Sequence, residues 1–356
     1  MTFPMTDRLF SSGTHVTFGA AAAERLSALG ARGVVRSLDN LLLGPSRADP
    51  AEHARVRKAW WGEGEEWDEL CSPRADWQVP VVLWVGASLQ ERVSLWRTCS
   101  WLRGRGIVAK DVLVLEFDAA APGATREEPT APFDCAASVA DHADDVLLDR
   151  LASARSWSRW SLERPQTPAR GARPWRQTRH DRAVSLWSKY TAEDPRPFVR
   201  DCTRGVPGFP EVGPLWGFLS CLFPRRTAEG VLRISRFDEL LLTLLSAEWQ
   251  TPVKVFVHES AAGAELRQLA SCTGDLFVPQ RLEQWVQQGA IERAPGPRPS
   301  PDYPMLQSVY RITELGARLR ENGLGGLGAA PGLLVGGTEA YAAPWVLLGD
   351  GRLVRL

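Results

Sequence analysis

Nowhere in this 356-residue chain do two cysteines form a Cys-x-x-Cys pair. The six cysteines (Cys71, Cys99, Cys135, Cys202, Cys221 and Cys272) are widely dispersed. Zinc sites and disulfide frameworks normally show close spacing, so these read as ordinary reduced thiols. The five histidines are equally scattered, and no metal or cofactor is expected. No apolar run approaches the roughly 18 residues of a membrane span. The stretch Met1–Phe10 carries Asp7 and Arg8 and lacks the apolar centre of a signal peptide. A soluble protein of the cytoplasm, with no membrane partner, is therefore expected. Excess charge is also missing: Lys+Arg and Asp+Glu both total 42. That balance favours neither nucleic acid as a partner nor an acidic tail. There is no nucleophile elbow, phosphate-binding loop or His-Glu-x-x-His, and no spacing supports a Ser-His-Asp set.

What is present is an ordinary globular composition, 44% hydrophobic and 24% charged, over a length that suits two or three domains. Thr14–Phe18 is β-prone, and Ala20–Leu29 follows as a helix ending at Gly30. Gly33–Ser37 reads as a second strand, Asp39–Pro45 as a loop, and Ala51–Leu70 as a helix anchored by Trp60, Trp61 and Trp67. Val79–Val85 is almost continuously apolar, the pattern of a strand buried on both faces. Leu89–Leu102 has helical spacing, and Val112–Phe117 is another buried strand. Strands alternating with helices imply right-handed crossovers and a parallel sheet. The fold class is α/β, with a Rossmann-like domain over residues 12–150 that includes a helical pattern at Asp144–Ala154.

Residues 151–214 read as a basic, Trp- and Pro-rich connector with helices. Between 151 and 200 there are eleven Lys or Arg against four Asp or Glu, with tryptophans interleaved. Such a segment can contact phosphate backbones and stack bases, through Arg173, Trp175, Arg176 and Arg179. The plainer reading, favoured by Pro165, Pro168 and Pro174, is a solvated linker whose tryptophans anchor it.

Residues 215–323 are mainly helical. Phe237–Leu245 is an apolar helix, Pro252 opens the next, and Leu276–Gln288 ends at a capping Gly289. Ala290–Arg293 and Ser308–Ile312 would flank a Pro-rich hairpin loop, and Thr313 caps a last helix. Helices followed by a hairpin and a helix give the order of a winged helix. Its presumed recognition helix offers Arg281, yet residues 229–323 hold ten basic and twelve acidic side chains, which favours protein contact over DNA. Residues 324–356 read as a β flap.

Ligands of open parallel sheets sit where strands end and helices begin. Gly19 lets β-structure turn directly into a helix whose free N–H groups suit an anion. Asp39 follows the second strand, where it suits a ribose hydroxyl or acid/base work, or more plainly a local hydrogen bond in a turn. Ser88, Glu91 and Arg92 open the helix after the Trp84 strand, where a glutamate is also explained by the helix dipole. His15 lies within a strand and reads first as structural.

Several of these pieces resemble a bacterial group of unassigned role, domain-of-unknown-function family 1835. The matching pieces are His15–Gly19, Asp39–Pro45, Leu83-Trp84 followed by Leu95, Trp187, and Asp194-Pro195. Gly274-Asp275, Thr313–Gly316, and Gly336-Gly337 with Trp345 extend the likeness. Where the family pattern has Asp-Ser after the glycine, this chain has Ala20-Ala21. Where many members carry acids after the Trp strand, it has Gly86-Ala87-Ser88. The resemblance implies a degenerate member, because alanine cannot do acid/base work. The expected function is non-catalytic: binding of a protein partner or a small phosphorylated ligand, with homo-oligomers compatible. The alternatives are an enzyme acting on a nucleotide or other phosphorylated small molecule, and a nucleic-acid-binding regulator.

Overall fold

The computed structural model describes residues 13–61, 69–71, 77–117, 176–273, 277–298, 305–324, 332–341 and 345–355. These residues carry eleven α-helices and a four-stranded parallel sheet. They fall into two compact units. The described residues up to Leu41, from Ser46 to Phe117 and from Arg176 to Ala192 form the first. Leu42–Pro45 and the described residues from Glu193 onward form the second.

In the first unit, β1 (Thr14–Thr17), α1 (Ala20–Ala28), β2 (Val34–Arg36), α2 (Pro50–Trp61), β4 (Val81–Val85), α3 (Leu89–Gly104), β5 (Val112–Glu116) and α4 (Gln177–Tyr190) follow in order. The sheet order is β2-β1-β4-β5, all parallel, with His15 opposite Val34 on one side and Val82 on the other. The order reverses between β1 and β4, the switch point at which open sheets leave a crevice. All five residues of β4 are buried, as its unbroken apolar run requires. One face is covered by α1, whose Ala22 and Leu26 pack with Val82, Trp84, Leu115 and Phe117. Trp84 and Phe117 stack with ring centres 6.1 Å apart. Each large side chain buried in this way contributes roughly 1.5–3 kcal/mol.

Helix α4 packs along α3 and buries Ala183, Leu186, Trp187 and Tyr190. Its sequence had read as part of a connector. The reason it belongs here is its apolar stripe at helical spacing, which faces α3 while Arg182 faces outward.

Helix α2 is described from Pro50 to Trp61, and Trp61 is 37% exposed and so is not a core anchor. Trp67 and the helical pattern at Asp144–Ala154 lie outside the described residues, as do Arg173 and Trp175.

The second unit contains β3 (Gly44–Pro45), α5 (Arg196–Arg204), α6 (Val212–Ser220), β6 (Arg225–Arg226), β7 (Leu232–Arg233) and α7 (Arg236–Leu244). Next come α8 (Pro252–Phe256), α9 (Ala261–Thr273), α10 (Phe277–Gln287), the antiparallel pair β8 (Ile291–Pro295) and β9 (Ser308–Ile312), and α11 (Glu314–Asn322). Gln250 pairs with Tyr310 on the far side of β9, extending the hairpin. The chain closes with β10 (Leu334–Gly336), β11 (Thr338–Glu339), β12 (Trp345–Leu347) and β13 (Leu353–Arg355). Of these, β10 pairs with β3 and β11, and β12 with β6 and β13.

Local chemistry sets the ends of these helices. Gly289 adopts φ 75°, and Ala290 N–H returns to Trp285 O, closing α10 in the left-handed turn that glycine permits. Thr313 Oγ1 accepts the Gly316 N–H and starts α11. Gly316 cannot be larger, because a Cβ there would lie 2.2 Å from Ala290 O. Among the described residues no helix is long and apolar enough to cross a membrane.

Candidate functional site

The loop leaving β2 carries Ser37 and Asp39 beneath α2 and α3. On α2, His53 and Arg57 stand four residues apart and share a face. The carboxylate of Asp39 is enclosed by donors. Arg57 Nε lies 2.9 Å from both oxygens, and its Nη2 donates to Oδ1 as well. Trp61 Nε1 donates to Oδ1 at 3.2 Å, and Arg97 Nη1 reaches Oδ2 at 3.5 Å. The side chains of Asp39, His53, Arg57 and Arg97 are all fully buried. Arg97 also donates to Ser37 Oγ, and Arg57 to Asn40 O. Tyr190 OH closes the region by donating to Leu41 O at 2.6 Å.

The charges in this cluster set its protonation. Burial alone would raise the Asp39 pKa, but Arg57, the His53 hydrogen bond and Arg97 outweigh it and hold the carboxyl well below its usual range. Burial pushes His53 down to about 4; Arg97 and Arg57 add to this and Asp39 opposes it. The imidazole is therefore neutral. Its Nδ1 accepts the Arg47 N–H at 3.1 Å, so the ring proton sits on Nε2, facing Asp39 Oδ2 at 3.3 Å. With both nitrogens occupied, this Asp–His pair is not arranged to take a proton from an incoming group.

The other residues singled out in the sequence are placed as follows. His15 is buried in β1, where its Nδ1 accepts the Trp84 Nε1–H at 3.1 Å. Gly19 precedes α1 in extended conformation, and no side chain caps that helix start. Ser88 Oγ accepts the Glu91 N–H at 3.2 Å, and the buried Glu91 carboxylate accepts the Gly86 N–H. Arg92 and Arg179, expected to serve different ligands, meet on one carboxylate, Glu116, at 2.5 and 2.6 Å. Arg176 is exposed just before α4. Asp39 and Glu91 thus do not converge as free acids at the sheet edge. Each is engaged by its own surroundings.

Arg281 requires a correction. It is 0% exposed and donates to both oxygens of the equally buried Asp238, at 2.7 and 2.9 Å. Trp285 Nε1, Tyr341 OH and Ser235 Oγ complete that carboxylate's partners, at 2.8, 2.6 and 2.7 Å. The arginine faces the interior of the second unit because a buried aspartate on α7 awaits it there, so it is unavailable to a nucleic-acid groove. Outside this core, Trp249 is 42% exposed, and the Arg311 guanidinium lies 4.6 Å from its ring centre. An open groove of about 750 Å³ adjoins it, lined also by Val286, Ile291 and Arg293.

Sequence reading missed His53, Arg57 and Arg97 as a set. The available signal was His53 and Arg57 at i, i+4 on the helix after an Asp-bearing loop. Among the described residues no group of three or more His, Cys, Asp or Glu is placed to hold a metal ion. Comparison with family models, with curated proteins and with solved structures gave no match in any of the three.

Proposed function

We propose that this chain is a non-catalytic binding protein, whose first unit holds a small ligand and whose second unit is a winged helix used for protein contact. One observation carries the reading: the carboxylate best placed for chemistry, Asp39, is sealed from solvent and bound by Arg57, Arg97, His53 and Trp61. A general acid or base must exchange a proton with a ligand, and this one is fixed in its ionised form by structure. Glu91 supports the same reading, since it caps the turn after β4.

For the second unit, the order α7, α9, α10, β8–β9, α11, with Gln250 bridged to the far side of the hairpin, supports a winged helix. Burial of Arg281 removes the basic side chain a recognition helix would present. The exposed Trp249 beside its groove suits a protein surface instead. The alternative of an enzyme acting on a phosphorylated small molecule is weaker, because it needs Asp39 and Glu91 free.

Native mass spectrometry of the full chain at low salt tests the reading. A small molecule retained at unit stoichiometry, by the wild type and by Glu91→Gln alike, is the expected result. Turnover of any substrate that disappears in Asp39→Asn or Glu91→Gln, with the fold intact, would overturn it.

A further inference from the structure

Among the described residues of the first unit, the buried polar atoms without a hydrogen-bond partner include Nε1 of Trp101 and Trp187 and Oγ of Ser46 and Ser94. Their residues are 3%, 0%, 0% and 1% exposed. A buried donor without an acceptor is costly and rare in folded proteins. Four in one region call for a common explanation.

Two of them flank one ring, and the other two lie beside residues that contact it. Trp101 and Trp187 pack edge-on against His53, with ring centres 5.5 and 5.7 Å away. Ser46 immediately precedes Arg47, whose N–H binds His53 Nδ1. Ser94, Arg97 and Trp101 stand at i, i+3 and i+7 on α3 and so share a face. The Arg97 guanidinium lies 4.8 Å from the Trp101 ring centre and 3.3 Å from His53 Nε2.

The chemistry of these groups selects an occupant. An indole N–H only donates, and a serine hydroxyl can donate, so their shared requirement is for acceptor oxygens. The charges agree. Burial comes first in lowering the His53 pKa, the Asp39 hydrogen bond opposes it, and Arg97 and Arg57 add to it; two guanidinium groups against one carboxylate leave the cluster one positive charge in excess. We propose that the region around His53 is a binding site for a small oxyanion of the phosphate class, received by the indole N–H groups of Trp101 and Trp187 and the hydroxyls of Ser46 and Ser94. The assignment rests on the ligand-binding reading above and gives that ligand a site and a chemical class.

The probe is inorganic phosphate, and the test is thermal unfolding of the full chain in millimolar phosphate against chloride of matched ionic strength. Because ligand and protein equilibrate through the transition itself, a buried site does not block the measurement. The wild-type Tm is expected to rise with the logarithm of phosphate concentration. Trp101→Phe and Trp187→Phe, which keep an aromatic ring and remove the N–H, are expected to lose at least half of that rise. Ser46→Ala provides the same readout if either aromatic variant folds poorly. A wild-type Tm indifferent to phosphate, or an equal rise in all variants, overturns the assignment. Native mass spectra separate the two levels of failure. A ligand still retained by the doubly substituted Trp101→Phe, Trp187→Phe protein leaves the binding reading standing and removes only this site. An indifferent wild type that also carries no ligand removes both.

Discussion

Arg57 Nε stands 2.9 Å from each carboxylate oxygen of Asp39, and neither side chain reaches solvent. A pair so placed strengthens its own attraction by excluding water. It also makes each partner dependent on the other, because a lone charge left there would be uncompensated. The residue that looked most like a reactive acid is therefore a fixed point of the first unit.

Asp39→Asn should lower unfolding stability by about 3–5 kcal/mol, the cost of breaking a buried pair from one side. Urea unfolding followed by far-UV circular dichroism measures it. A loss below about 1 kcal/mol, the scale of an exposed pair, would be inconsistent with the burial described.

Acid should weaken the protein in a defined window. The folded-state pKa of His53 is about 4 against 6.5 for an ordinary histidine. Between those values the unfolded chain binds a proton that the folded chain refuses, so stability falls as pH drops from 6.5 towards 4. The full effect is about 3 kcal/mol, order of magnitude only. Asp39 is depressed too, and its contribution is lost only at lower pH, as the carboxyl protonates. His53→Gln should flatten the upper window and leave the lower one. His180, also pushed down by burial, acts equally in both proteins and cancels. Equal pH slopes in wild type and variant would count against a neutral, buried His53.

Tyr341→Phe should cost about 1.5–3 kcal/mol, the range for a hydrogen bond to a charged group. Its hydroxyl donates to Asp238 at 2.6 Å and accepts the Ser235 N–H at 2.8 Å. Differential scanning calorimetry would register this, and an unchanged Tm would show that the Asp238 network does not need the phenol.

Cys99 and Cys202 should resist alkylation in the native state. Burial drives the Cys99 pKa far up and that of Cys202 to about 12, and a protonated thiol is a poor nucleophile. Peptide mapping after iodoacetamide treatment should find both unlabelled until denaturant is added. Labelling of Cys99 at the rate of a free thiol would contradict its 0% exposure.

Much of the fold was legible because its signals are local. The unbroken apolar run of β4, the Gly289 stop and the Thr313 cap each depend on residues within a few positions of one another. The site was not legible for the opposite reason. Asp39 meets Arg97 across 58 positions, Asp238 meets Arg281 across 43, and Tyr341 meets Asp238 across 103. Periodicity assigns an arginine to solvent, and only a distant carboxylate reverses that. The shift of Arg281 from groove reader to core residue, and of α4 from connector to packed helix, both follow from partners that lie far away along the chain.

The most direct test of the account is a double-mutant cycle between Asp39 and Arg57, with Asp39→Asn, Arg57→Met and the combined variant unfolded in urea. The account predicts a coupling of at least about 2 kcal/mol, since removing the second partner relieves the charge stranded by loss of the first. Near-additive single effects of small size, together with altered turnover or ligand handling in Asp39→Asn, would contradict it and return Asp39 to the role of a reactive acid.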